Sequence, residues 1–262
     1  MIGFPENLGI AQRGRVIFAI MMRDMRTRFG RSHVGYMIAI AWPLVHLSVL
    51  VSMMLYANRV LPFGTDPAVF VVSGVLPYIL CLYPARLMGY SVEANRALFL
   101  FPVVNVFDVI VARGAIEFLT AFVVAIIFCG ALLSFGVDIV PINYSAWASG
   151  VLATVYLSIS MGILNTVISS IFKMWHVVFV LLMFFMYATA GVFVLPSSFS
   201  PAVRELMWYN PLLHCVEWVR SSYYDGYGGE MLSQEFVLWV ATTCLMLGLL
   251  GERFLRGKLL GA

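Results

Sequence analysis

Apolar residues along this chain gather into long blocks. They do not alternate with polar residues at the period of a strand or of a half-buried surface helix. Nearly continuous apolar stretches run over about residues 35–56, 68–89, 106–135, 146–172, 175–195 and 236–255. A hydrocarbon layer about 30 Å thick needs about 20 helical residues to cross it. The pattern therefore predicts an all-α integral membrane protein with six transmembrane helices. The first block follows a polar, arginine-rich start with no small-residue cleavage site, so it reads as a retained span and not as a signal peptide.

Three segments between the blocks carry patterns of their own. Over residues 13–31, placed at about 100° per residue, Ile17, Phe18, Met21, Met22, Met25 and Phe29 share one arc, and Arg15, Arg23 and Arg26 fall opposite. An amphipathic interfacial helix lying in the headgroup plane is expected there, followed by Arg28 at its end. The segment 90–102 mixes Glu93, Asn95 and Arg96 with Leu98, Phe99 and Phe101. That mixture fits a docking surface for another protein, and equally a helix end lying in lipid. Residues 196–234 hold Trp208, Tyr209, Trp218 and Tyr223 and are interrupted by Pro201 and Pro211. A re-entrant helical hairpin with aromatics at the interface accounts for both features. Within it Glu217 and Arg220, spaced i, i+3, are expected to neutralise each other structurally. The chain then divides into an N-terminal interfacial segment (1–34), a six-span domain (35–255, hairpin 196–234) and a tail (256–262).

Composition narrows the class. Of 262 residues, 62% are hydrophobic, 15% aromatic and 11% charged, against about 45–50% apolar and about 25% charged in a soluble domain. A soluble enzyme, a disordered chain and a secreted disulfide scaffold do not fit. The net charge of +3 gains meaning from its placement. With the N-terminus inside, inner segments hold Arg13, Arg15, Arg23, Arg26, Arg28, Arg31, Arg86, Arg96, Arg113, Lys173, Arg253, Arg256 and Lys258. Outer segments hold only Arg59, Arg204 and Arg220. The excess of basic residues on inner flanks predicts both termini on the cytoplasmic side. Cys81, Cys129, Cys215 and Cys244 lack zinc-site spacing and read as small buried apolar residues.

No engine is visible in the chain. The only Gly-Lys, Gly257-Lys258, is followed by Leu259, so there is no phosphate loop of the GxxxxGK[ST] type, and neither HExxH nor GxSxG occurs. His33, His46, His176 and His214 are scattered and read as structural. Arg86, Asp108, Arg113 and Glu117 sit near span ends, with Arg113 and Glu117 one turn apart and expected to pair. That is no mid-membrane proton relay. No catalytic or metal-ligating residue is expected, and energy for any transport should come from another chain. The fourth span carries Ser158, Gly162, Asn165 and Ser169 on one face, which fits close helix packing or a wetted passage. Trp42, His46, Tyr78 and Tyr83 form aromatic faces suited to sugar rings and equally to lipid-facing belts. Pro77 and Pro84 should kink the second span.

These residues carry a resemblance. Arg23-Asp24-Met25-Arg26-Thr27-Arg28-Phe29-Gly30-Arg31-Ser32-His33-Val34-Gly35-Tyr36, then Trp42-Pro43-Leu44, resembles the start of ABC-2 type permeases that export capsular polysaccharide and O-antigen. Gly74-Val75-Leu76-Pro77-Tyr78 resembles the second-span motif of that family, whose aromatic is often tryptophan. Asn95-Arg96-Ala97-Leu98, Phe101-Pro102 and Asp108 to Arg113 resemble its coupling loop and third-span entry. Tyr209-Asn210-Pro211-Leu212-Leu213-His214, with Glu217 and Arg220, resembles its outer hairpin.

The resemblance implies a homodimer in the bacterial inner membrane with two separate ATP-binding subunits docked beneath it. It assigns Glu93, Asn95, Arg96, Leu98 and Phe99, with the helix bearing Arg15, Arg23, Arg26 and Arg28, to contacts with those subunits. ATP and Mg would be bound there, with no cofactor in this chain. It implies a polysaccharide canal, for which Trp42, Tyr78, Tyr83, Ser158, Asn165 and Ser169 are the candidates. An outer hairpin bearing Trp208, Tyr209, Glu217, Arg220 and Tyr223 would meet a periplasmic co-polymerase leading to an outer-membrane exporter. Within the family, capsular polysaccharide is the expected cargo, lipid-linked at one end. Export of O-antigen or another glycan, a lipid or drug efflux permease, and a membrane-embedded transferase on lipid-linked sugars are the alternatives.

Overall fold

The computed structural model describes residues 9–29, 34–56, 66–227 and 229–260, and among these no strand occurs. Ten α-helices follow in order: α1 (Ile10–Phe29), α2 (Val34–Tyr56), α3 (Pro67–Met88), α4 (Ser91–Ala94), α5 (Val106–Ser134), α6 (Tyr144–Ile171), α7 (Trp175–Ala188), α8 (Pro201–Trp208), α9 (Pro211–Arg220) and α10 (Gln234–Leu260). Single 3-10 turns cover Arg96–Leu100 and Pro196–Ser198. Arg31, His33 and Arg59 lie outside the described residues.

Five helices, α2, α3, α5, α6 and α10, are long and apolar enough to cross a membrane. The block at 175–195 differs from its expectation. Its helix α7 has 14 residues, about 21 Å at 1.5 Å per residue, which falls short of a hydrocarbon layer. Gly191 turns the chain with φ +73°, where a Cβ would sit 2.9 Å from Pro196. Asn210 closes the helix end by donating its amide to Met186 O at 2.7 Å and to the Thr189 hydroxyl at 2.9 Å.

The centre of the bundle is α3, buried along its length and packed by α2, α5, α6 and α9. Asp66 caps it by accepting from Ala68 N at 2.8 Å, with Pro67 in the first turn. Pro77 and Pro84 lie inside a helix that continues through both.

Its last turn leaves carbonyls with no intrahelical donor, and in an apolar surround each must find one. Helix α6 supplies them. Asn165 donates to Ala85 O at 2.8 Å, Thr166 to Met88 O at 2.8 Å and Ser169 to Gly89 O at 2.7 Å, while Ser158 donates to Cys81 O at 2.6 Å. Asn165 also accepts from the Trp175 indole at 2.9 Å. Within this chain Ser158, Asn165 and Ser169 are therefore buried and bonded to carbonyls of the neighbouring helix, Asn165 and Ser169 at its end and Ser158 farther back. Close approach makes this possible. A Cβ on Gly89 would meet the Asn165 amide nitrogen at 2.4 Å, and one on Gly162 the Met88 sulfur at 2.5 Å.

Helix α10 packs on α6 by the same device. A Cβ on Gly248 would lie 2.9 Å from Leu164 N, and one on Gly251 2.7 Å from a Val167 methyl. By contrast α2 turns Met37, Ile38, Val45, Val49 and Met53 outward.

Helix α1 packs on the bundle by a stripe beside its apolar arc. Its packed stripe runs through Arg13, Ile17, Ile20, Asp24 and Arg28, about a quarter turn from the arc centred on Met21 and Met25. Ile20 packs with Val109 and Ala112 of α5, with Ile17, Met21, Leu98 and Phe99 around them. Arg15 and Arg26 are exposed, but Arg23 and Arg28 reach into the bundle. The face left open carries Phe18 and Met22.

Candidate functional site

Helices α2, α3, α5 and α7 enclose a cavity of about 290 Å³, which Arg28 of α1 also lines. One wall is aromatic, formed by Trp42, Tyr78 and Tyr83. Another is charged, formed by Arg28, Arg86 and Glu117, and Ile38, Ile79, Val124 and Met183 fill the rest. The structure thus brings three of the six canal candidates together, and the other three lie in the α3–α6 interface. Trp42 remains 70% exposed, so the aromatic wall continues onto the open face of α2.

Behind that wall the rings are locked to one another. Tyr78 stacks on Tyr187 with centroids 3.8 Å apart, and His46 meets both edge-on at 6.0 and 5.9 Å. Tyr83 lies edge-on to Tyr78 at 5.8 Å, with its hydroxyl 3.4 Å from His46 Nδ1. Tyr187 in turn meets Phe193. The buried hydroxyl of Tyr187 has no hydrogen-bond partner among the described residues. Sequence reasoning missed Tyr187 and Phe193 because both fall in a block read as a lipid span. A tyrosine inside such a block was the available signal, since its hydroxyl needs a partner when buried.

The charged wall belongs to a latch between α1 and α5. Arg113 donates to Asp24 Oδ2 at 2.7 Å and pairs with Glu117 Oε1 at 3.0 Å, and Arg28 donates to the same Glu117 oxygen. Further along, Arg13 pairs with Asp108 at 3.2 Å. Asp108 also accepts from Asn105 N at 3.1 Å and so caps α5 as it anchors α1. Asp24, Asp108, Arg113 and Glu117 are all buried. Two acids against two guanidiniums make the Asp24–Arg113–Glu117–Arg28 cluster neutral, which is what buried ions require.

The segment between α3 and α5 is held from three sides. Tyr90 stacks on His176 at 4.0 Å, His176 Nε2 lies 3.4 Å from Glu93, and Arg23 donates to Asn95 Oδ1 at 2.8 Å. Asn95 is buried and donates to Ser91 O at 3.0 Å, while Leu98 and Phe99 tuck beneath α1. Three of the five coupling candidates are therefore turned inward. Glu93 and Arg96 stay on the surface, joined by Leu100 at 84% and Phe101 at 61% exposure.

Between α7 and α10, helix α9 is buried against α3 and α6. Pro201 and Pro211, read as interruptions, each open a helix, and Asn210 caps α9 by accepting from Leu212 N at 3.0 Å. Arg220 is 0% exposed. It donates to Gly191 O at 2.8 Å and lies over the Phe70 ring at 4.2 Å, and a Cβ on Gly74 would collide with it at 2.8 Å. Glu217 sits 3.5 Å from Arg220 and accepts from the Tyr227 hydroxyl at 2.6 Å. Tyr223 is buried beside this pair's helix, whereas Tyr209 is exposed. His214 Nε2 donates to Trp208 O at 2.7 Å and its Nδ1 accepts from Ser233 N at 3.0 Å, which fixes a neutral ring.

The comparisons with known proteins bear on this arrangement as a whole. The polysialic acid transport protein KpsM of Escherichia coli is 29% identical over 233 residues, covering 88% of this chain and 90% of its own. The capsule polysaccharide export inner-membrane protein CtrC of Neisseria meningitidis serogroup B is 25% identical over 248 residues, covering 95% and 92%. The chain is a homologue of capsule polysaccharide export inner-membrane proteins. BexB of Haemophilus influenzae, named in the same way, is 23% identical over 256 residues, covering 95% and 92%. No protein-family model matches the chain. These homologues are ABC-2 type permeases, and the chain is an inner-membrane protein of the transport class.

Proposed function

We propose that this chain is the transmembrane subunit of an ATP-driven exporter that carries capsular polysaccharide, lipid-linked at one end, across the inner membrane. The observation that supports it best is near-full-length similarity to capsule exporters, extending across the helices that enclose an aromatic and charged cavity. Aromatic faces give a sugar chain area without a tight grip on any one residue. In this reading two copies form the canal and six crossings leave both termini cytoplasmic. The short α7 counts as a span completed by the turn after it, and α8–α9 form a re-entrant hairpin. Two ATP-binding subunits, holding ATP and Mg, dock on Glu93, Arg96, Leu100 and Phe101. A periplasmic co-polymerase and an outer-membrane exporter continue the path.

Closure of the ATP-binding subunits would push the 90–102 segment. The Arg23–Asn95 bond and the α1–α5 latch would pass that push to the cavity wall, because Glu117 belongs to both. Replacing the chromosomal copy tests the proposal. Its loss should leave polymer inside the cell and none at the surface, with export restored by the wild-type chain. Unchanged surface polysaccharide in the deletion would overturn it.

A further inference from the structure

The hairpin carries a second concave surface, separate from the cavity of the proposed canal. Pro201, Arg204, Glu205, Trp208 and Tyr209 of α8 and its end face Glu230 and Met231 across an open groove of about 400 Å³. Tyr209 is 65% exposed and stands edge-on to Trp208, with centroids 5.6 Å apart at 89°. Trp208 is itself fixed, against Phe236 at 4.7 Å and His214 at 5.3 Å, while its carbonyl accepts from His214. Arg204 reaches Glu230 at 3.9 Å across the groove, and Glu205 is exposed at its rim. An exposed aromatic ring set edge-on against a fixed indole, at the end of a short helix and beside planar charged groups, offers a ligand a partly preorganised face. It offers a flat apolar platform and hydrogen-bonding groups at its edge.

We infer that this groove binds a short stretch of uncharged, hydroxyl-rich oligosaccharide. A sugar ring would lie on Tyr209, its hydroxyls donating to Glu205 and Glu230 and accepting from Arg204. The charges argue for an uncharged ligand, since two carboxylates against one guanidinium leave the groove negative and a polyanionic chain is repelled. The class of ligand rests on the exporter reading, and the groove would receive polymer as it leaves the canal.

The test uses the purified full-length chain in lipid nanodiscs, presented with an array of neutral oligosaccharides and with oligosialic acid. Saturable binding of neutral members is expected, weakened about five- to tenfold by Tyr209→Ala, as an aromatic contact predicts. Glu205→Gln with Glu230→Gln should raise oligosialic acid binding toward the neutral level. Because Tyr209 is exposed, its variant should melt with the wild type, which separates binding from folding. Three outcomes overturn the inference: no neutral glycan bound by folded protein, binding indifferent to Tyr209→Ala, or wild-type preference for oligosialic acid. Loss of a copurifying envelope protein in Tyr209→Ala, with glycan binding intact, also overturns it in favour of a protein contact. Failure of the wild-type chain to support export, with glycan binding retained, would instead sink the exporter reading and leave the groove standing.

Discussion

Arg113 holds two acids at once, Asp24 at 2.7 Å and Glu117 at 3.0 Å, in a site where all three are buried. Arg113→Ala strands Asp24 without its guanidinium, whereas Glu117 keeps Arg28. Removing one partner of a buried ion pair costs about 3–5 kcal/mol, and the surviving Arg28 contact places this substitution near the lower end. A loss of ~3 kcal/mol is a large share of a stability of about 5–15 kcal/mol and should be plain in denaturation of the detergent-purified protein. Glu117→Gln should cost less, because Arg113 retains Asp24 and the partly exposed Arg28 can turn to water. The decisive form is a double-mutant cycle of Asp24→Asn with Arg113→Gln. The structure predicts a coupling of about 1–3 kcal/mol, the range for residues sharing one network. Single variants near wild type whose effects add would refute the latch, and with it the route from α1 to the cavity.

Three further outcomes follow from the same contacts. Asn165→Ala removes a cap from Ala85 O and a partner from the Trp175 indole, and should cost about 1–2 kcal/mol given the modest worth of such bonds between membrane helices. Export per folded molecule should stay near wild type if Asn165 only ties α6 to α3, and a change in cargo preference would show a canal role instead. Leu100→Asp with Phe101→Asp should abolish copurification of the ATP-binding subunits at unchanged melting temperature, whereas Asn95→Ala should lower that temperature first. His214 gives a pH signature: burial holds its pKa below the ordinary 6.5, its hydrogen bond to the Trp208 carbonyl only partly opposing this, while the Ser233 N–H donated to Nδ1 favours the neutral ring. Above 6.5 the ring is neutral in folded and unfolded chains alike. As pH falls, the unfolded chain takes a proton that the folded one refuses, so stability declines towards the lowered value. Burial raises the Glu217 carboxyl despite Arg220, with the opposite sign, so the wild-type curve minus that of His214→Gln isolates the histidine and should fall from pH 7 to pH 5.

Much of this was legible in the apolar blocks because a membrane span needs only length and composition. The ends of α3, α5 and α6 fall within two residues of the expected limits. Helix α7 is shorter than its apolar block for a local reason: Gly191 turns the chain and Asn210 closes the helix end, and an apolar run does not say whether it continues as helix. The face by which α1 packs on α5 was not legible in its apolar arc, which says only which side avoids water. Arg13, Asp24 and Arg28 fall on the same stripe as Ile17 and Ile20, and a helix can bury charge where a neighbour offers the opposite charge. Ser158, Asn165 and Ser169 share a face for the sake of α3's carbonyls, a demand that becomes visible only when two helices are set side by side. The aromatic wall was half legible, since Trp42, Tyr78 and Tyr83 were named, but Tyr187 joins them only through packing.

The central claim is that this chain carries polysaccharide on energy supplied by other subunits. The most direct measurement is polymer transfer in proteoliposomes that hold this chain with its ATP-binding subunits and internal ATP. The account predicts capsular polysaccharide appearing across the bilayer with ATP, lost without this chain and lost in Leu100→Asp with Phe101→Asp. Transfer without the ATP-binding subunits, or no transfer by a folded complex that hydrolyses ATP in the presence of polymer, would contradict it.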